Sequence, residues 1–289
     1  LDLMLNGLVG ASGMQPTINA IKAGVNVALA NKESLVMAGN IINKELKNSE
    51  AKLFPVDSEH SAIWQCMVGE KLNDINRIIL TGSGGPFRER PLSTFSKITK
   101  NEALDHPNWD MGDKISIDSA TMMNKGLEVI EAYWLFGFGL DKIDIVVHPQ
   151  SIIHSMIEMN DGSIKAQMGV PDMKVPIQYA LTYPEHVFAK WDRLDFYKCG
   201  DLTFQPPDFE RFPSISLAFR ALDLLGTAGT ALNLANDITV DLFLKEKILF
   251  TDIPRINEII IEEHPWVEEP TLDDITNLEE WVKEKIDNF

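Results

Sequence analysis

The sequence predicts an α/β protein in three parts: an α/β unit at the start, a central α+β region and an all-helical end. Three observations predict it. A short buried apolar run at residues 25–30 follows a helical pattern at 16–23, with Gly24 as punctuation between them. Further strand patterns occupy the middle of the chain and include one clear hairpin, and from Ile215 onward helical periodicity is almost unbroken.

Taken in order, residues 37–46 predict a second helix and residues 52–56 a second strand, which runs into Asp57-Ser58-Glu59-His60. Loops after strands carry chemistry in such sheets. Residues 77–80 form another apolar strand, broken sharply by Thr81-Gly82-Ser83-Gly84-Gly85-Pro86. From 87 to 113 the chain is polar and irregular, apart from a short helix after Ser93. Together with Ser83 it is expected to act as a lid spanning 83–113. Residues 119–136 predict one amphipathic helix with Met123, Leu127, Ile130 and Trp134 on a single stripe and a polar opposite side. Residues 144–148 read as a strand, and 155–159 with 164–168 as a hairpin turning at Asn160-Asp161-Gly162. The expected divisions are 1–48, 49–183, a proline-punctuated connector at 184–212, and helices at 213–289.

The chain has 289 residues, 45% hydrophobic and 24% charged, enough for more than one globular domain. No run of about 18 apolar residues occurs, so no membrane helix is expected. With 26 Lys and Arg against 43 Asp and Glu, the net charge of −17 disfavours nucleic acid and anionic membranes as partners. An anionic substrate then needs a local basic pocket. Cys66 and Cys199 lack metal-type spacing and are expected as reduced thiols in a cytoplasmic setting. The opening Leu1-Asp2-Leu3-Met4 has no features of a targeting peptide and is expected to start inside a fold.

Several groups have the chemistry of a site. In an extended Asp57-Ser58-Glu59, both carboxylates point to one side and can share a divalent cation, although acidic pairs in loops are mostly solvated. Glu128, on the polar side of its helix, is the candidate third ligand, and three oxygen donors suit Mg²⁺ or Mn²⁺. Asn124, Lys125 and Glu128 lie at helical spacing near Ser119, and with the N–H groups of a helix start they make a phosphate site. The plain alternative is a capped helix with solvated charges. Ser83 in its glycine turn adds a donor, Asn31-Lys32-Glu33 follow a strand end, and His106, Trp109 and Met111 are rich for a solvated loop. His148 and His154 read as structural.

The succession ANKES, PVDSEH, TGSGGPF, HPNW, SATMMNKGLE, HPQSIIHSM and GVPDM resembles the 1-deoxy-D-xylulose 5-phosphate reductoisomerase family, from Gly7 through the C-terminal helices. The resemblance implies a partial Rossmann-like NADPH-binding domain at 1–48, with the family's glycine-rich diphosphate turn expected upstream of these residues. It implies Asp57, Glu59 and Glu128 as Mn²⁺ or Mg²⁺ ligands. Ser83, His106, Ser119, Asn124 and Lys125 would hold the substrate phosphate. Lys32, Ser58 and Glu59 would face the sugar, Ser151 and Met173 would line the site, Trp109 and Met111 would close over it as a lid, and Asn31, Glu33 and Gly112 would meet the nicotinamide end of NADPH. Lys32, Glu59 and His106 would act in catalysis, in a homodimer. Asp237 stands where the family pattern suggests Glu. Two rivals remain on the residues alone: a silent phosphate-binding paralogue, and a metal-dependent sugar-phosphate aldolase or isomerase without a reduction step.

Overall fold

A computed structural model describes residues 1–105 and 111–289. The chain divides into two compact units, one made of Leu1–Lys32, Ile42–Ser83 and Ala132–Pro207, the other of Glu33–Ile41, Gly84–Glu131 and Asp208–Phe289. Both units are discontinuous in sequence: their boundaries fall inside two helices, at 32/33, 41/42 and 131/132, in the glycine turn at 83/84, and in the connector at 207/208.

In the first unit, β1 (Leu3–Asn6), β2 (Asn26–Leu29) and β3 (Leu53–Pro55) form a parallel sheet in the order β1-β2-β3. Helix α1 (Met14–Lys22) packs on β1 and β2. Val27, Ala28 and Leu29 are fully buried, the continuous apolar reading of a strand covered on both faces. Helix α2 (Lys32–Lys47) starts just beyond β2 and is interrupted at Ala38, where φ is −133°. Helix α3 (Ser58–Met67) follows β3 directly.

A second, mixed sheet combines β4 (Ile75–Gly82), β5 (Ile143–Val147), β6 (Ile153–Met159) and β7 (Ile164–Met168) in the order β5-β4-β6-β7. β4 and β5 are parallel, while β6 pairs antiparallel with both β4 and β7. The predicted hairpin is thus present, with Gly162 at φ +83° in its turn. Helix α3 packs across β6 and β7, and α7 (Lys174–Thr182) lies against β2 and β3.

In the second unit the polar segment after β4 is less irregular than its composition suggests. It carries a 3-10 helix at Leu92–Lys97 and α4 (Lys100–Leu104), the latter closed by a Thr99/Glu102 capping box. Phe87, Phe95, Ile98 and Ala103 are buried, so residues 84–104 own part of a core and the lid expected at 83–113 is anchored over most of its length. Phe250 is the anchor, with its ring 5.3 Å from Phe87 and 6.1 Å from Phe95.

The predicted helix at 119–136 is two helices, α5 (Asp113–Ala120) and α6 (Met123–Phe136), separated by Met122 in the left-handed region at φ +59°. Helices α8 (Pro213–Leu224), α9 (Ala228–Leu244), α10 (Asp252–Glu263) and α11 (Leu272–Asp287) complete the unit, with α9 packed by the other three and by α5. Among the described residues, no helix is long and apolar enough to cross a membrane.

Candidate active site

Parallel pairing of β2 with β3 sends both strands out at one edge of the sheet, as ligand-binding loops require. Lys32, opening α2, and Asp57, capping α3, emerge there and form an ion pair. The two side chains are only 9% and 11% exposed, so the pair is screened little by water. Burial opposes ionisation of Asp57, but the Lys32 ammonium, then His60 and the Glu59 side chain, hold its carboxyl well below the usual range.

Glu59 sits in the first turn of α3, where the helix dipole favours a carboxylate, and its Oε2 accepts the Ser58 hydroxyl at 2.5 Å. Sequence reasoning put Asp57 and Glu59 on one side of an extended segment. Here a helix begins at Ser58, and the two acids take the cap and the first turn instead. A cavity of about 230 Å³ opens beside Ser58, with His154, Gly169 and Trp191 in its wall.

The histidines of the HPQSIIH motif have defined settings. The Ile152 N–H donates to Nε2 of His148 at 3.2 Å, which leaves Nδ1 as the protonated nitrogen facing Thr203 O at 2.9 Å. His148 therefore ties two loops together. Burial keeps His154 below its usual pKa despite the attraction of Glu59. Ser151 adopts φ +53°, an uncommon conformation for a side-chain-bearing residue. Met173 packs against Ala28, Val56 and Ala180, which makes it part of a core.

In the second unit the break at Met122 creates a new helix start, and Asn124 and Lys125 occupy the first turn of α6. Their i+4 and i+3 spacing from Glu128 is satisfied: Asn124 Nδ2 donates to Oε1 at 2.5 Å, and the Lys125 ammonium pairs with Oε2. Glu128 is fully buried, Glu131 is 1% exposed and Lys125 is 4% exposed. The side of α6 expected to face solvent is thus enclosed, and a buried carboxylate held by a cation and an amide is far too costly for an ordinary helix surface.

Ser119 lies at the end of α5, and the glycine turn is pressed against it. A Cβ on Gly85 (φ +66°) would come 2.6 Å from the Ser119 carbonyl oxygen. Ser83 follows β4 directly, at the head of that turn.

Asn31 is 1% exposed, and its Nδ2 donates to Leu8 O and Gly10 O at 2.8 and 2.9 Å, shaping the turn after β1. Gly112 caps α5, and among the described residues nothing lies within 4 Å of where a side chain would project. Glu33 pairs with Lys114 at 3.4 Å. That lysine also meets Asp118 and Asp237, each at 2.9 Å, a cluster that sequence reasoning missed. The only local signal was the i, i+4 spacing of Lys114 and Asp118 on α5. His106 and Trp109 lie outside the described residues.

The donor set suits the groups the sequence implied. Asp57 and Glu59 in the first unit and Glu128 in the second are carboxylates, whose hard oxygens are of the type Mg²⁺ or Mn²⁺ takes, and each holds a proton donor or cation from its own unit. For the nicotinamide end, the fitting feature is the Gly112 backbone, which no described side chain crowds.

Comparison with known proteins agrees with this chemistry. A family profile for 1-deoxy-D-xylulose 5-phosphate reductoisomerase matches residues 1–39, and two profiles for the C-terminal domain of that enzyme match 53–136 and 168–285. The 1-deoxy-D-xylulose 5-phosphate reductoisomerase of Chloroherpeton thalassium is 52% identical over 96% of this chain and 72% of its own length. That of a Thermoanaerobacter species is 53% identical over 99% of this chain and 75% of its own. A crystal structure of DOX-P reductoisomerase with NADPH, fosmidomycin and magnesium superposes with a TM-score of 0.93 at 42% identity, covering 99% of this chain and 74% of that one. The Zymomonas mobilis enzyme in complex with NADPH gives 0.92 at 43% identity, covering 98% and 74%.

Proposed function

The chain belongs to the 1-deoxy-D-xylulose 5-phosphate reductoisomerase family, and on that premise we propose that it converts 1-deoxy-D-xylulose 5-phosphate to 2-C-methyl-D-erythritol 4-phosphate with NADPH and a divalent cation. The observation that carries this reading is the enclosed Asn124, Lys125 and Glu128 group at the start of α6, which is polar where packing alone would have made it apolar. When bound, the cation supplies Lewis acidity, held by Asp57, Glu59 and Glu128, and NADPH supplies the reducing equivalent.

The chain's own groups do the rest. Lys125 has three donors, so it can stay paired with Glu128 and still face a phosphate oxygen, alongside Ser83, Ser119, Asn124 and His106. That grip on a remote group provides binding energy to orient the reacting carbons. Lys32 places a buried positive charge beside the sugar oxygens, where negative charge develops as the carbon skeleton rearranges. Glu59, bearing the Ser58 hydroxyl, is placed to accept a hydroxyl proton. Asn31, Glu33 and Gly112 are assigned to the nicotinamide end, Ser151 and Met173 to the wall of the site, and Trp109 and Met111 to its lid. Functionally, 1–48 serves the cofactor and 49–183, with the lid 83–113, the chemistry, followed by the connector 184–212 and the helical domain 213–289.

We also assign a cytoplasmic homodimer. Support comes from β7, an edge strand with Ile164 54% exposed, which can extend the mixed sheet across a two-fold axis. The test of function is the loss of NADPH absorbance on adding 1-deoxy-D-xylulose 5-phosphate with Mg²⁺ or Mn²⁺, with the branched polyol phosphate identified by NMR. Rearranged aldehyde without NADPH consumption would favour the isomerase rival instead.

A further inference from the structure

Of the Lys114 cluster, only Glu33 has a part in the chemistry outlined above. Lys114 lies two residues beyond Gly112, and its ammonium is shared by carboxylates from three helices: Glu33 at the head of α2, Asp118 one turn along α5, and Asp237 in α9. Amides of α9 stand behind two of the acids, Asn236 donating to Asp118 at 2.7 Å and Asn233 to Asp237 at 3.3 Å. Side-chain exposures are 23% for Lys114, 13% for Glu33, 3% for Asp118 and 28% for Asp237, so the group is largely withdrawn from water. Enclosed ion clusters contribute little net stability, since desolvation offsets the attraction. What such a cluster does is fix geometry. A single cation here sets the side chain of Glu33 and the start of α5 together.

We infer that Lys114 is a positioning residue for the reduction step, holding Glu33 and the Gly112 end of α5 in place for the nicotinamide. This rests on the functional reading above, in which Glu33 and Gly112 face the cofactor. Among the described residues, the carboxylates that Lys114 pairs with are Glu33, Asp118 and Asp237.

The test is steady-state kinetics of the full-length enzyme with Lys114→Met, Lys114→Arg and the double variant Lys114→Met/Asp237→Asn, which leaves one fewer uncompensated carboxylate. Expected is a rise of at least tenfold in KM for NADPH in both Met variants, with KM for the sugar phosphate and the Mg²⁺ requirement within twofold of wild type, and substantial recovery in Lys114→Arg. A folded Met variant with unchanged KM for NADPH would overturn the inference. So would parallel rises for cofactor and sugar phosphate, or loss of the fold in all three variants, because each marks Lys114 as a structural group only. A wild-type enzyme without NADPH-dependent turnover would instead defeat the functional reading itself, before any variant is compared.

Discussion

Replacing Gly85 by Ala isolates the contact that shapes the phosphate side of the site. The residue sits at φ +66°, and the left-handed region costs a Cβ-bearing residue roughly 1–2 kcal/mol. The new methyl would also stand 2.6 Å from the Ser119 carbonyl oxygen and 3.4 Å from Ala120 Cα. Both atoms belong to the backbone of α5, so neither can swing aside as a flexible side chain would. Forced overpacking of this kind costs roughly another 1–3 kcal/mol. A total of about 2–5 kcal/mol lowers the melting temperature by roughly 5–15 °C in a protein of this size. Displacement of Ser119 should also raise KM for the sugar phosphate while leaving KM for NADPH nearly unchanged. Gly24→Ala is the control: φ is +73° there, but among the described residues nothing lies within 4 Å of the added Cβ, so only the torsional cost applies. Thermal melts followed by circular dichroism decide the matter. If Gly85→Ala melts together with Gly24→Ala, the close approach to Ser119 has no energetic weight and the reasoning fails.

Other outcomes follow from the same geometry. Glu128→Gln is expected to weaken Mn²⁺ binding at least tenfold with the fold retained, and a metal titration that matches wild type would remove Glu128 from the ligand set. Asp237 is pushed up to about 6, first by burial and then by Asp118 and Glu33, against the pull of Lys114. The folded state therefore binds more protons than the unfolded one between the ordinary value of 3.8 and about 6, so this group's contribution to stability declines as pH rises through that window. Asp237→Asn should flatten the decline, by at most about 3 kcal/mol, in urea titrations at the two ends of the window. Phe250→Ala opens the aromatic cluster beneath residues 84–104 and should cost about 3–5 kcal/mol, measured the same way; a loss below about 1 kcal/mol would mean that Phe87 and Phe95 close the gap.

Strands with a clean apolar run or alternation were legible in the sequence: β2, β3, β4, and the hairpin of β6 and β7. Helix α3 was not, because its buried face includes His60 and Ser61, which read as polar punctuation. The break between α5 and α6 was hidden for another reason. Methionine is a good helix former, and nothing local marks Met122 as left-handed. The candidate site was legible through motifs whose order matches a family, and α6 adds the physical reason: its polar side is enclosed rather than solvated. The Lys114 cluster was illegible because its outer partners come from α2 and α9. Only Asp118 lies within reach of helical spacing. Likewise the segment after β4 looked loose, since its core is borrowed from Phe212 and Phe250 far along the chain.

The discontinuity of the second unit bears on how the protein is made. During synthesis the first unit has all of its residues once Pro207 has emerged from the ribosome. Residues 33–41 and 84–131 must wait for α9, where Thr230 donates to Met37 O at 2.7 Å and Gly229 is pressed against Val36 O. Until then α6 has apolar surface and a Glu128–Lys125 pair but no complete enclosure, a state in which nascent chains recruit chaperones or aggregate. A ribosome stalled anywhere in α8 should therefore leave a chain whose first unit resists protease while residues 84–131 are cut, and release of the remaining helices should protect both.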